Sequence, residues 1–292
     1  MLESLYLTPQ PSRFKNLNQL ADALLAPSIG QFDHILRHSQ CAGSFSHVFA
    51  IAYRSALQRL LPQLKVDQWA AFSVTEEGGN HPRSIASYLE AGRVFGKKTF
   101  VSMGELAQQV IVIAKEGESN GRPNLKAVLL ESTADHVTLN TMPPLGLLNE
   151  IPHGELILSG AKGVVLPGDG HSDYSQVFRW HEDVCLLTSF SAYFHGFLAG
   201  SSGCRQYLQV CLSLLSRLHH LHEPSDVNAI LLQSCFDDFR SLVLAILEDN
   251  SNALHELKLQ VQREQKLFSL AKGAREARTE RAWARLYPQA AT

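Results

Sequence analysis

Cysteine is scarce in this 292-residue chain, and the five that occur, Cys41, Cys185, Cys204, Cys211 and Cys235, are an odd count with no Cys-x-x-Cys spacing. A disulfide framework and a cysteine-built metal site are both disfavoured, and reduced, buried thiols are expected. Charge of either sign is in little excess: the formal net charge of −2 gives no positive surplus to draw nucleic acid. No stretch reaches the ~18 uninterrupted apolar residues that a membrane span needs. The opening residues, Met1 to Pro9, have neither the basic start nor the long apolar run of a secretory signal, so the expected location is the cytoplasm. Internal repeats and low-complexity tracts are also missing. The remaining composition, 45% hydrophobic and 18% charged, is that of a folded globular protein, large enough for two domains or for one multi-layer unit.

Periodicity divides the chain into three. Up to about residue 68 the spacing is helical: Phe14, Leu17, Leu20, Ala21 and Leu24 form one stripe, and Phe45, Val48, Phe49, Ala52, Ala56 and Leu60 another. Pro27 and Pro62 close those stretches. From Trp69 to about 178 the pattern changes to short runs, Ala70–Thr75, Phe100–Ser102, Val110–Ala114, Ala127–Glu131, His136–Leu139 and Glu155–Leu158. Turn clusters such as the one spanning Glu118 to Pro123 separate them, which predicts an antiparallel sheet, with a helical turn as the alternative over 105–109. Helical spacing then returns from about Arg179 to the end. Trp180, Val184, Leu187, Ser191, Phe194 and Leu198 make one face, and Gly200 to Gly203 ends that helix. A second helix runs from Arg205 to about His222, a third starts at Ser225, and a fourth extends from near Asn252 toward Leu286 with a soft point at Gly273. His219, His220 and His222 have no carboxylate or cysteine at a supporting spacing, so a solvated helix end is expected and no metal.

Three segments carry chemistry. The first is Ala70-Ala71-Phe72-Ser73-Val74-Thr75-Glu76-Glu77-Gly78-Gly79, and the second runs from Gly96 through Phe100 and Ser102 to Gly104. The third spans Ile151 to Gly170 and contains a Glu-Leu-Ile-Leu strand and a Val-Leu-Pro exit. Taken singly, the first is a strand ending in a glycine turn. Together, in order and at these separations, the three resemble the middle domain of acyl-CoA dehydrogenases, where an apolar strand ending in Thr-Glu-Pro-Gly-Ala-Gly-Ser precedes a Gly-x-Lys-x-Trp-Ile-Thr strand. The likeness covers roughly residues 45 to 200. Thr75 falls on the first threonine, Phe100 on the tryptophan and Ser102 on the second threonine. The resemblance implies an α+β fold with N-terminal helices, a central antiparallel β domain and a C-terminal four-helix bundle, divided near 1–68, 69–178 and 179–292. It also implies FAD as cofactor, held by Phe72, Val74, Thr75, Phe100 and Ser102. Backbone amides and a hydroxyl aimed at the ring edge suit the negative charge of a reduced flavin, and an aromatic against the ring face excludes water.

The implied activity is oxidation of an acyl-CoA or other acyl thioester at its α,β-carbons, which needs a carboxylate to take the α-proton. Most members supply it from a C-terminal Tyr-Glu-Gly, absent here; a minority supply it from the first helix of the C-terminal domain, where Glu182 falls. The other reading of Glu182 and Asp183 is acidic residues suited to a first helical turn. His81 or Asn80 aligns with the serine that helps hold acyl-CoA, and His81 is taken as the substrate-binding residue. Other departures weigh against a complete site. The N-terminal helices are about half the usual number, the 200–205 turn is short where the family has a long connection bearing a dinucleotide-binding arginine and glutamine, and a Gln-x-x-Gly-Gly segment has no counterpart. Glu77 replaces a proline and puts a carboxylate near the ring edge. A non-catalytic partner subunit or binding module is therefore the alternative. The basic last helix, with Arg263, Lys266, Lys272, Arg275, Arg278, Arg281 and Arg285, is either a solvated face with i,i+4 pairs or a phosphate-binding one. Apolar positions Val227, Ile230, Leu231, Leu242 and Ile246 suggest pairing of subunits, as a homodimer or hetero-oligomer.

Overall fold

The structure is a computed structural model that describes residues 13–24, 31–269 and 271–289; Pro27 and the opening residues lie outside them. It forms two compact units. One is helical and takes the described residues up to 55 and from Glu182 onward; the other, residues 56–181, contains the sheet. The division falls inside two helices, α3 and α4 below.

The sheet unit has eight strands: β1 Trp69–Ser73, β2 Tyr88–Glu90, β3 Arg93–Ser102, β4 Ala107–Ser119, β5 Arg122–Glu131, β6 Val137–Thr141, β7 His153–Lys162 and β8 Val164–Val165. Their order is β6-β7-β3-β2-β4-β5-β8, with β1 alongside β4. Most pairings are antiparallel, but β1 and β2 each run parallel to β4. Every residue of β1 is buried, as are Val110 to Ala114 of β4, so these strands read as continuous apolar runs, the pattern of strands covered on both faces. The β4–β5 hairpin turns on Asn120 and Gly121, both at positive φ, which matches the right-handed twist of the flanking strands. The 105–109 segment resolves into a 3-10 turn at Gly104–Leu106 followed by the start of β4.

The helical unit contains α1 Leu17–Ala23, α2 Phe32–Gln40, the start of α3 Phe45–Leu60, most of α4 Gln176–Ala199, α5 Arg205–Leu218, α6 Asp226–Glu248, α7 His255–Arg263 and α8 Lys272–Leu286. Asn16 caps α1 by accepting from the Gln19 amide at 3.0 Å, and Ser225 caps α6 by accepting from Asn228 at 3.1 Å. The core is aromatic: the Phe45 ring meets Phe190 edge-on at 5.1 Å, and Phe194 and Phe239 extend the cluster. The expected fourth C-terminal helix is broken before Gly273, by a 3-10 stretch at Gln265–Ser269 and a left-handed Ala271, and Gly273 lies inside α8. The break turns α8 back along α6, where Thr279 Oγ1 donates to the Ala229 carbonyl and Arg285 pairs with Asp226. No helix among the described residues is long and apolar enough to cross a membrane.

Candidate functional site

All three chemistry-bearing segments meet inside the sheet unit, the third through the pairing of β7 with β3. The Thr99 amide donates to the Thr75 carbonyl at 2.9 Å, joining the exit of β1 to the middle of β3. Beside that bond lies a buried ion pair: Lys98 is 0% exposed and its Nζ sits 2.5 Å from Glu76 Oε1. The Glu76 carboxylate also accepts from the amides of Ala86, at 2.7 Å, and Ser87, at 3.1 Å. Burial alone would raise the Glu76 pKa, yet the Lys98 hydrogen bond and charge together with those amides hold it below the usual carboxylate range. The burial of Lys98 acts oppositely, lowering its own pKa against the pull of Glu76. We take the pair as ionised, because the carboxylate is satisfied on both oxygens.

The register of β3 against β7 shifts next to this pair. Lys98 faces Leu156 and Val101 faces Gly154, so β3 carries one extra residue, and Phe100 takes a φ of 55°. For a bulky side chain that conformation is strained. The bulge re-aims the side chains: Lys98 and Val101 point inward, while Phe100, 50% exposed, and half-buried Ser102 point outward. Ser102 pairs across the sheet with His153, and Lys97 bridges to Glu155 at 2.7 Å. The outer face of β3 and β7 thus offers an aromatic ring, a hydroxyl and an imidazole beside a closed ion pair. The Ser102 hydroxyl has no protein partner among the described residues.

The other sequence-predicted residues are placed differently. Phe72 is buried and stacks on Phe178, with centroids 4.6 Å apart, and so lies in the core. Val74 and Thr75 are half-buried at the exit of β1. His81 is exposed, its Nδ1 accepting from the Arg83 amide at 3.2 Å and so capping the turn at Pro82–Ser84. Glu182 is half-buried on α4, in the helical unit. It is not in a first turn, because α4 begins earlier, at a π-helical turn over Gly170–Ser175 whose amides at His171 and Ser172 are capped by Asp169. Asp183 is buried and binds Arg278 at 2.8 Å and Arg275 at 3.4 Å. Much of the basic character of α8 is therefore consumed within the helical unit, since Arg285 and Lys272 are also paired. Sequence reasoning missed two features of the sheet site. The Glu76–Lys98 pair spans 22 positions, although both residues stand in the motifs, and His153 becomes visible only through strand register.

A separate furrow of about 650 Å³ runs between α5 and α6, lined by Tyr207, Val210, Arg217, Asp238 and Leu242 among others. Its charged groups are closed on each other, Arg217 on Asp238 at 2.5 Å, and Tyr207 donates to Asp249. None of the motif residues lines it, so we place the candidate site on the sheet face. His219, expected at a helix end, packs edge-on against Phe32 at 4.7 Å.

No family model matches the chain, and no curated protein matches it. Solved structures do. An acyl-CoA dehydrogenase from Geobacillus kaustophilus superposes with a TM-score of 0.67 at 12% identity, covering 96% of this chain and 92% of that one. Butyryl-CoA dehydrogenase from Megasphaera elsdenii gives 0.66 at 12% identity over 93% and 90%. The FAD complex of PigA gives 0.64 at 12% identity over 96% and 95%. At such identity the likeness is one of fold. With helices, a curled sheet and a terminal helical bundle in that order, the chain has the acyl-CoA dehydrogenase-like fold.

Proposed function

We propose that the protein is an acyl-CoA dehydrogenase-like flavoprotein that oxidises an acyl thioester at its α,β-carbons, with FAD on the outer face of β3. The bulge at Phe100 carries this reading: it spends backbone strain to present an exposed aromatic and an uncommitted hydroxyl on one face. When bound, FAD supplies the acceptor for hydride from the β-carbon. Phe100 covers the ring face and excludes water, and Thr75 and Ser102 address the ring edge with Val74 beside them. Phe72 supports the strand from within the core, His81 meets the substrate, and Glu182 takes the α-proton. Exposed Glu77 carries a charge that opposes an electron-rich ring. An absorption spectrum of the purified protein, followed by titration with FAD, tests the reading. A flavin spectrum or saturable uptake is expected; a colourless protein that takes up no FAD removes it.

A second reading rests on the connection between α4 and α5, residues 200–204, which has no room for a long dinucleotide-binding segment. In that reading the chain is a non-catalytic partner subunit or binding module. It predicts stoichiometric co-purification with a second flavoprotein, whereas a self-sufficient FAD-loaded homodimer counts against it.

A further inference from the structure

The sheet face holds an imidazole that the proposed reaction has not used. His153 opens β7 directly opposite Ser102. Side chains of directly opposed residues project on the same face with Cβ atoms roughly 4.5–5.5 Å apart. His153 Nδ1 lies 3.1 Å from the Ile151 carbonyl, which can only accept, so Nδ1 carries the proton and Nε2 presents a lone pair. Burial holds the ring's pKa below the usual histidine value despite that backbone bond, which keeps the imidazole neutral at pH 7. Nearby charges are committed elsewhere: Lys97 and Glu155 close on each other, and Glu105 accepts from the Thr141 hydroxyl. The backbone is also fixed, since the Met142 amide donates to the His153 carbonyl at 2.8 Å.

We propose that His153 is a further ligand-contacting residue of this face, its Nε2 accepting a hydrogen bond from a ring-edge N–H and so favouring reduced over oxidised flavin. The inference rests on the FAD reading. Were FAD held on this face, accepting the β-carbon hydride with its electron pair would turn one ring nitrogen from a hydrogen-bond acceptor into an N–H donor. A neutral imidazole with its lone pair forward can satisfy only the second state. Differential binding of two states shifts the equilibrium between them by the same free energy.

The test is the reduction potential of bound FAD in the wild type, His153→Leu and His153→Gln, measured at pH 7 against a dye of known potential, with melting temperatures alongside. One hydrogen bond corresponds to roughly a five- to tenfold change in the ratio of reduced to oxidised affinity. For a two-electron couple that is about 20–30 mV. His153→Leu is expected to lower the potential by that amount while still binding oxidised FAD, and His153→Gln, which returns an acceptor oxygen, to recover most of it. Should the leucine variant not fold, His153→Phe carries the same comparison. An unchanged potential in a folded, FAD-loaded variant overturns the proposal and leaves the flavoprotein reading standing. A wild type that takes up no FAD overturns both, and is seen before any variant is made.

Discussion

Phe100 separates ligand binding from folding because its two properties point in opposite directions. Its left-handed backbone costs on the order of 1–3 kcal/mol, and its ring, half exposed, returns little burial. Phe100→Gly removes the strain at a φ that glycine adopts freely. The variant is expected to melt at or above the wild-type temperature while FAD affinity falls roughly tenfold, the worth of an aromatic ring contact. Equal affinity in both proteins would place the cofactor elsewhere. His34 poses a different residue-scale question. It is 4% exposed, neither ring nitrogen has a partner among the described residues, and burial, with His38 and Arg54 nearby, pushes its pKa down to about 3. A depressed histidine opposes protonation in the folded state, so stability present above the unfolded value near 6.5 is lost as pH falls toward 3. His34→Leu is expected to gain about 1–3 kcal/mol at pH 7 by removing two unmet polar atoms. That advantage should widen below pH 6.5 in urea melts; a constant gap across pH would show that His34 does not titrate in the unfolding transition.

Between elements, single buried charges hold segments that are far apart in sequence. Asp183 on α4 binds Arg275 and Arg278 on α8, and Arg275 also lies 4.1 Å over the Phe236 ring of α6. Removing the acid takes the buried carboxylate from two guanidinium groups, so Asp183→Ala is expected to cost roughly 3–5 kcal/mol. Replacing all three charged residues with apolar ones of similar size should restore much of that; failure to do so in chemical denaturation would assign the loss to packing. The helices that hold these charges were legible because their apolar faces recur at helical spacing, as at Val184, Leu187, Phe194 and Leu198. The exit of β1 was legible for a local reason too, since Thr75 precedes the glycine turn at Gly78 and Gly79. What could not be read were features set by pairing across the sheet. The parallel pairing of β1 with β4, the inward turn of Lys98 and the placement of His153 all depend on register, which no local run of residues encodes. The start of α4 was misjudged because a π-turn capped by Asp169 has no apolar period of its own.

At the scale of the whole molecule, the apolar face proposed for association splits in two. Leu242 and Ile246 are buried at 3% and 0% and belong to the core of the helical unit, whereas Val227 and Leu231 remain 54% and 45% exposed, one turn apart on α6. Trp283 of α8 and Tyr287 just past its end are also exposed, with rings 5.3 Å apart, and the Arg285–Asp226 pair fixes α8 beside the start of α6. Four large apolar side chains left out on adjoining helices are more than a scatter of single surface residues. A stable interface buries about 800 Å² on each partner, with its energy concentrated in a few aromatic and aliphatic anchors. We therefore expect a homodimer by light scattering, and expect Val227→Glu with Leu231→Glu to convert it to a monomer, because like charges would meet across a two-fold contact and two anchors worth roughly 1.5–3 kcal/mol each would be lost. Both positions are exposed in the monomer, so its melting temperature measured at low concentration should change little. A wild type that stays monomeric at every concentration, or a double variant that still dimerises, would show that this face is not where copies of the chain meet.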